Sequence, residues 1–224
     1  HVSLMPKTSD FTHAAAAPLV LITAWGALFE RGQLKAGETV LIQAGTGGVG
    51  HVAIQLAKIK GARVITTVSS EAKAAWVKSL GADEVIIYPE EDVIERTLQL
   101  TDGKGVDLSF DTVGGEVLEQ CTSLTAHYGR LVTLLSAEGI DLSEARMRNL
   151  SLAFELMLTP MIRQLDAARA QHINILNQCA EYIDQKQLQL HLAQVFSLSE
   201  AKAAHTAIEA GHTQGKYVLD CTKG

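Results

Sequence analysis

Cysteine is scarce in this chain, and the little there is makes no pattern. Cys121, Cys179 and Cys221 stand far apart, with no C-x-x-C pair and no H-x-x-x-H neighbour. Spacing therefore encodes neither a disulfide framework nor a zinc site, and the three read as buried or partly buried thiols. No apolar run approaches the roughly 18 residues of a membrane span, and the N-terminus lacks the basic and apolar regions of a signal peptide. No membrane partner is expected, and the default location is cytoplasmic. Positive charge is also short: 19 Lys and Arg against 25 Asp and Glu leave a formal charge of −6, with the basic residues scattered rather than striped. Such a surface excludes a nucleic-acid partner. Repeats and low-complexity linkers are missing too. What remains is 224 residues with 47% apolar content, enough to build a sizeable core.

The most informative stretch is Gln43-Ala-Gly-Thr-Gly-Gly-Val-Gly50. It follows the apolar Thr39-Val-Leu-Ile42 and leads into the helix-periodic His51-Val-Ala-Ile-Gln-Leu-Ala-Lys58. Strand, glycine turn and helix in that order give a G-x-G-x-x-G its meaning. Gly45 is expected to permit the tight turn, Gly47 to let a pyrophosphate approach the backbone, and Gly50 to let helix and strand pack closely. The helix N-terminus then faces the phosphates. Val49, Val52, Ala53, Leu56 and Ile59 fall on one buried stripe, with His51, Gln55 and Lys58 expected to face away. After Gly61, residues 62–68 supply a second β-branched strand.

Further along, strand and helix keep alternating. Ser9 or Asp10 caps a helix over 11–17, and Pro18 is expected to start a second one that runs to Gly32. Helices are expected at 71–80, 89–100 and 115–124, and strands at 84–88, 106–110 and 129–135. The apolar stretch 150–158 is a candidate sixth strand. Right-handed crossovers turn this into an α/β fold: a doubly wound parallel Rossmann sheet of about six strands, helices on both faces, plus a C-terminal extension. A long helix over 166–187 carries Ile173, Leu176, Ala180 and Ile183 on one face. Beyond it, 188–196 alternates like a strand, Ser197-Leu-Ser-Glu200 offers a capping box, and 216–220 is a strand with no place in a completed sheet. Residues 1–187 thus form the dinucleotide-binding domain with its opening helices, and 188–224 a separate C-terminal segment.

The tip of the second strand bears on cofactor choice. An NAD-type fold places an acid there for the ribose hydroxyls. This chain has Val68-Ser-Ser70, then Glu71, with Lys73 one turn into the next helix. Hydroxyls and an ammonium suit a 2′-phosphate, and one charge-assisted hydrogen bond is worth roughly 1.5–3 kcal/mol. NADP(H) is favoured over NAD(H), against the alternative that Lys73 is solvated and Glu71 binds the ribose.

With these glycines, Leu80-Gly-Ala-Asp-Glu-Val85, Asp111-Thr-Val-Gly114 and Gly215-Lys-Tyr-Val-Leu219 in order, the chain resembles the medium-chain dehydrogenase/reductase superfamily. Its best match there is the quinone oxidoreductase, zeta-crystallin-like branch, and Ala16-Ala-Pro-Leu-Val-Leu-Ile-Thr-Ala-Trp25 is similar to that family's opening helix. The resemblance implies that Gly45, Thr46, Gly47, Gly48 and Val49 hold the pyrophosphate and that Ser69 and Lys73 meet the 2′-phosphate. Tyr88 would lie beside the adenosine half. Thr112, Leu134 and Ser136, with Thr23 nearby, would reach the nicotinamide half. It also implies an N-terminal GroES-like catalytic domain ahead of His1, which the closing segments of this chain would complete. The whole enzyme would transfer hydride from NADPH to a quinone or α,β-unsaturated carbonyl, and this portion alone would show little or no turnover. A zinc-type alcohol dehydrogenase, an enoyl reductase and a non-catalytic dinucleotide sensor are the alternatives. No side chain here is a convincing catalytic acid or base. Tyr182 and Lys186 spell Y-x-x-x-K, but the glycine loop lacks the short-chain dehydrogenase pattern that goes with it. Relatives dimerise through the sheet edge, so a homodimer is expected.

Overall fold

The carboxylate of Asp10 accepts the His13 amide at 2.8 Å and so caps the first helix. The computed structural model describes residues 2–211 and 213–222, and in it this helix, α1 (Phe11–Trp25), passes through Pro18 without a break. It continues as a π-helical turn over Gly26–Arg31. The two helices expected on either side of Pro18 are one. A proline inside a helix costs about 3 kcal/mol; burying Val20, Leu21 and Ile22 outweighs it at about 1.5–3 kcal/mol each. Contrary to the expectation of no span-length apolar run, the stretch Phe11–Arg31 is long and apolar enough to cross a membrane by length and composition. Of its apolar window 56% is buried, and it packs on α2 and α8 as a core helix does.

After α1 the elements alternate: β1 (Thr39–Ile42), α2 (Gly50–Ile59), β2 (Arg63–Val68), α3 (Glu71–Ser79), β3 (Glu84–Ile87), α4 (Val93–Leu100), β4 (Val106–Asp111), α5 (Glu116–Leu124), β5 (Thr125–Thr133), α6 (Ser143–Met147), β6 (Ser151–Phe154), α7 (Thr159–Ile162) and α8 (Asp166–Asp184). Six strands form one parallel sheet in the order β3-β2-β1-β4-β5-β6. This is the doubly wound Rossmann-like sheet expected from the sequence. The chain winds outward from β1 to β3, then crosses to β4 and winds the other way, so the switch point lies between β1 and β4.

Side chains alternate between the faces. Val40, Ile42, Val64, Leu108 and Phe110 pack against α1, α2, α3 and α8. Leu41, Ile65 and Ile86 meet Val93, Ile94 and Leu100 of α4 on the other face, where Leu118, Cys121 and Leu131 extend the packing under α5. On α8 the buried positions are Ile175 and Cys179 with His172, one step around from the expected stripe. Leu176, Ala180 and Ile183 instead line an apolar groove of about 600 Å³ with residues 2–6 and α1. Burial pushes the thiols of Cys121 and Cys179 up to about 12, which makes them inert, whereas Cys221 lies exposed beyond the last strand rather than buried.

The C-terminal segment adds β7 (Leu192–Ser197), α9 (Ala201–Glu209) and β8 (Lys216–Asp220). Ser197 and Glu200 form the expected capping box, opening a short 3-10 turn ahead of α9. The strand without a place in the main sheet pairs with β7 in a two-stranded parallel sheet of its own, which packs on α1.

One acid sits uneasily in this core. Glu155, just past β6, is 8% exposed, with its carboxylate against Gly26 and 3.5 Å from Arg31. Burial raises it from 4.5 to about 7, with Arg31 pulling the other way. Between those values the folded protein binds a proton that the unfolded chain does not, so stability is full below about pH 4.5 and falls as pH climbs through 7. Glu155→Gln should therefore raise the melting temperature at about pH 8, by about 1–3 kcal/mol at about 2–4 °C each, and leave it little changed at about pH 5. Thermal scans at the two pH values check this.

Candidate functional site: a glycine cradle at the switch point

β1 ends at Ile42, and the chain must turn at once into α2. The left-handed residue of that turn is Ala44, φ +51°, and not Gly45. Gly45 is needed for packing instead, because a Cβ there would collide with Thr66 Oγ1 on β2 and meet Ile54 Cδ1 at 3.0 Å. A Cβ on Gly50 would run into the Ala44 carbonyl oxygen, as the close packing of helix and strand requires. The turn is fastened by Gly45 N–H donating to Thr67 O at 3.0 Å and Gly47 N–H to Ala44 O at 2.9 Å. Among the described residues no acceptor meets the amides of Gly48 and Val49. They sit at the positive end of the α2 dipole, as an anion cradle requires.

Beside the turn, at the carboxyl ends of β1, β2 and β4, opens a cavity of about 640 Å³. Its size is that of a small-molecule site. Gln43, Ala44, Thr46 and Gly47 form one wall, Thr67, Lys73 and Tyr88 another, and Val113, Val117 and Gln120 from the β4–α5 side a third. Thr213 closes it from the C-terminal segment. Buried hydrogen bonds fix the floor: Thr67 Oγ1 accepts the Ala44 amide at 3.0 Å and donates to Gln43 Oε1 at 2.7 Å. Thr112 Oγ1 donates to Gln43 O at 2.9 Å. Asp111, fully buried, accepts the amides of Val113 and Gly114 at 2.9 Å each and the Thr133 hydroxyl at 2.6 Å, which locks the loop after β4 to β5.

Of the residues singled out from the sequence, Thr46, Gly47, Lys73 and Tyr88 line this cavity directly. Ser69 stands behind Lys73 and accepts a hydrogen bond from its ammonium at 2.9 Å. Gly45, Gly48 and Val49 belong to the turn itself. The others are set apart: Thr23 is buried in α1 and donates to Leu19 O at 2.7 Å. Leu134 packs on the core, and Ser136 is exposed, accepting the Glu138 amide at 3.1 Å. Tyr182 and Lys186 lie at and beyond the end of α8, away from the cavity walls. The wall carboxylates are engaged structurally: Glu91 accepts the Ile87 amide and pairs with Arg96, and Asp92 caps α4.

Three residues depart from the sequence expectations. His51 and Gln55, expected on the outer face of α2, are buried. The chain just beyond α8 covers them: Gln55 Nε2 donates to Gln189 O at 3.0 Å, and the His191 amide donates to His51 Nε2 at 3.3 Å. Burial lowers His51 to about 4, so it is neutral. Lys216 joins the cradle although its sequence position gives no sign of it. Its side chain lies over Gly48, with Cδ 2.9 Å from where a Cβ would stand, and the adjoining Gly215 amide donates to Thr46 O at 2.9 Å. Nothing local in the sequence flags either contact.

A bare glycine turn at a topological switch point, with unpaired amides and cations from two sides, fits a dinucleotide. A model of the zinc-binding dehydrogenase family matches residues 80–219. The chain belongs to that family, within the medium-chain dehydrogenases/reductases. It is 34% identical over 216 residues to a quinone oxidoreductase of Pseudomonas aeruginosa, a match covering 96% of this chain and 66% of that protein. It is also 30% identical over 215 residues to a phenolphthiocerol/phthiocerol polyketide synthase of Mycobacterium tuberculosis, a match covering 96% of this chain and 10% of the synthase. The crystal structure of Escherichia coli quinone oxidoreductase complexed with NADPH superposes with a TM-score of 0.87 at 28% identity, over 97% of this chain and 67% of that one. The chain thus spans about two thirds of the quinone oxidoreductases and a tenth of the synthase. Like its relatives' domain, it is a dinucleotide-binding domain of an oxidoreductase family. Among the described residues no three His, Cys, Asp or Glu side chains come together to hold a metal ion.

Proposed function

We propose that this chain binds NADP(H) and, as part of a longer oxidoreductase, serves hydride transfer to a quinone or an α,β-unsaturated carbonyl. The observation that carries the cofactor choice is Lys73, which lines the cavity and donates to Ser69 at the tip of β2, whereas Glu71, exposed at the start of α3, is not among the residues of the cavity wall. In this reading the turn of residues 45–49, through the unpaired amides of Gly48 and Val49, and the Lys216 ammonium hold the diphosphate, and Ser69 and Lys73 the 2′-phosphate. Tyr88, half exposed, flanks the adenosine. Thr112, at the cavity floor, is assigned to the nicotinamide half, as are, beyond the cavity walls, Leu134 and Ser136 with Thr23. Bound NADPH would supply a hydride from its nicotinamide C4; this chain's own residues orient the ring and exclude water on one side of it. Residues 188–224 would complete a second domain that shapes the acceptor site.

A charge-assisted contact of this kind is worth about one to two decades in affinity. Lys73→Ala should weaken NADPH binding by about 10- to 100-fold and leave NADH nearly untouched. Equal losses for both cofactors, read by calorimetry, would refute the 2′-phosphate role.

The acceptor is tested with NADPH consumption by the longer protein on quinone and enone panels. The similarity to a polyketide synthase keeps an enoyl thioester in the second panel. Turnover on either supports an enzyme, and tight NADPH binding with no turnover on both would favour a sensor instead. For residues 1–224 alone, binding with little turnover is expected.

The proposed homodimer rests on β6, an edge strand that among the described residues pairs with β5 alone, with Ser151 and Phe154 exposed. Its free backbone groups can pair with a second copy. Sedimentation should show a dimer, and Phe154→Pro, which removes an amide from the open edge because Glu155 N–H and its alternate neighbours bond to β5, should shift it to monomer.

A further inference from the structure

His51 is the first side chain inside α2 and is completely buried, yet no role in the cofactor reading is assigned to it. Its Nε2 lies 3.3 Å from the His191 amide, which can only donate, so Nε2 must be the accepting nitrogen. The proton therefore sits on Nδ1, which donates to the Gly47 carbonyl at 3.0 Å. The same carbonyl accepts the His51 amide at 3.2 Å. Trp76 stacks over the imidazole at 6.1 Å and 22°, and its other neighbour is the His191 ring at 4.9 Å.

Peptide geometry carries this contact to the cradle. The Gly47–Gly48 peptide is trans and planar, so its carbonyl and its N–H point in opposite directions. With the carbonyl clasped by His51, and Gly47 of the same peptide lining the cavity, the Gly48 N–H points away from the imidazole. It has no acceptor there among the described residues. A peptide between two glycines has no Cβ to set its orientation, so its aim depends on residue 51: the main-chain amide holds the carbonyl at the helix start, and the imidazole adds a second hydrogen bond that narrows its swing.

We propose that His51 is a positioning residue: by holding the Gly47 carbonyl it aims the Gly48 amide at the diphosphate of the bound dinucleotide, an inference that rests on the cofactor reading above. The clasp reaches back through the His191 amide, so the segment leading into β7 braces the cradle from behind.

The test compares NADPH with 2′-AMP, which has the adenosine and 2′-phosphate but no diphosphate. Calorimetric titrations use the wild type, His51→Phe and His51→Gln. His51→Phe should weaken NADPH about tenfold, the worth of one hydrogen bond to a charged group, and leave 2′-AMP within twofold. His51→Gln, whose amide offers both a donor and an acceptor, should restore most of the loss. Independently of any variant, the Gly48 amide proton of the wild type should move downfield in NMR spectra on saturation with NADPH and stay in place with 2′-AMP. Undiminished NADPH binding by His51→Phe, parallel loss of both ligands, or a Gly48 amide indifferent to NADPH overturns the proposal. Wild type that does not bind NADPH at all overturns the cofactor reading with it.

Discussion

Everything in this domain is arranged around one close approach: the backbone of Ala44 and Gly45 pressed between β2 on one side and the start of α2 on the other. Neither Gly45 nor Gly50 has room for a side chain, because a Cβ on Gly45 would strike the Thr66 hydroxyl and one on Gly50 the Ala44 carbonyl. That crowding sets how near the helix N-terminus comes to the carboxyl ends of β1 and β4. From this follows the anion cradle, since the amides beyond the turn have nowhere else to point. The glycines are best understood as packing residues first, with the phosphate-facing surface a result of that packing.

The cradle is also held from two directions. In front, the Asp111 carboxylate and the Gln43–Thr67–Thr112 network make its floor rigid through buried hydrogen bonds, each satisfied. Behind, the C-terminal segment supplies the His191 amide, the Gly215 amide and the Lys216 stem. A site meant to hold a flexible, highly charged ligand gains from such bracing, because donors already in place cost no reorganisation on binding.

How much of this could be read in advance depends on how local its causes are. β1, β2 and β4, the glycine turn and the capping box at Ser197 were legible because each is encoded by a run of neighbours. The C-terminal strand was recognised as out of place, and its partner proved to be β7. Pro18 misled because a breaker rule weighs one lost amide without weighing the apolar face around it. The outer face of α2 misled for a different reason. Helical periodicity sees one buried stripe, and the second is created by a segment 140 positions away. Lys216 was missed on the same ground. Ala44 shows a subtler gap, since a glycine-rich string gives no hint that its one left-handed residue is the alanine.

The small β7–β8 sheet has a consequence for how the grip on a cofactor is lost. A two-stranded pair is marginal on its own, and this one rests on α1, an element distant from it in the sequence. The nucleotide cradle takes two of its fasteners, Gly215 and Lys216, from the edge of that pair. Opening of this small sheet therefore slackens the cradle while the six-stranded sheet stays folded, so the hold on a nucleotide melts before the domain does.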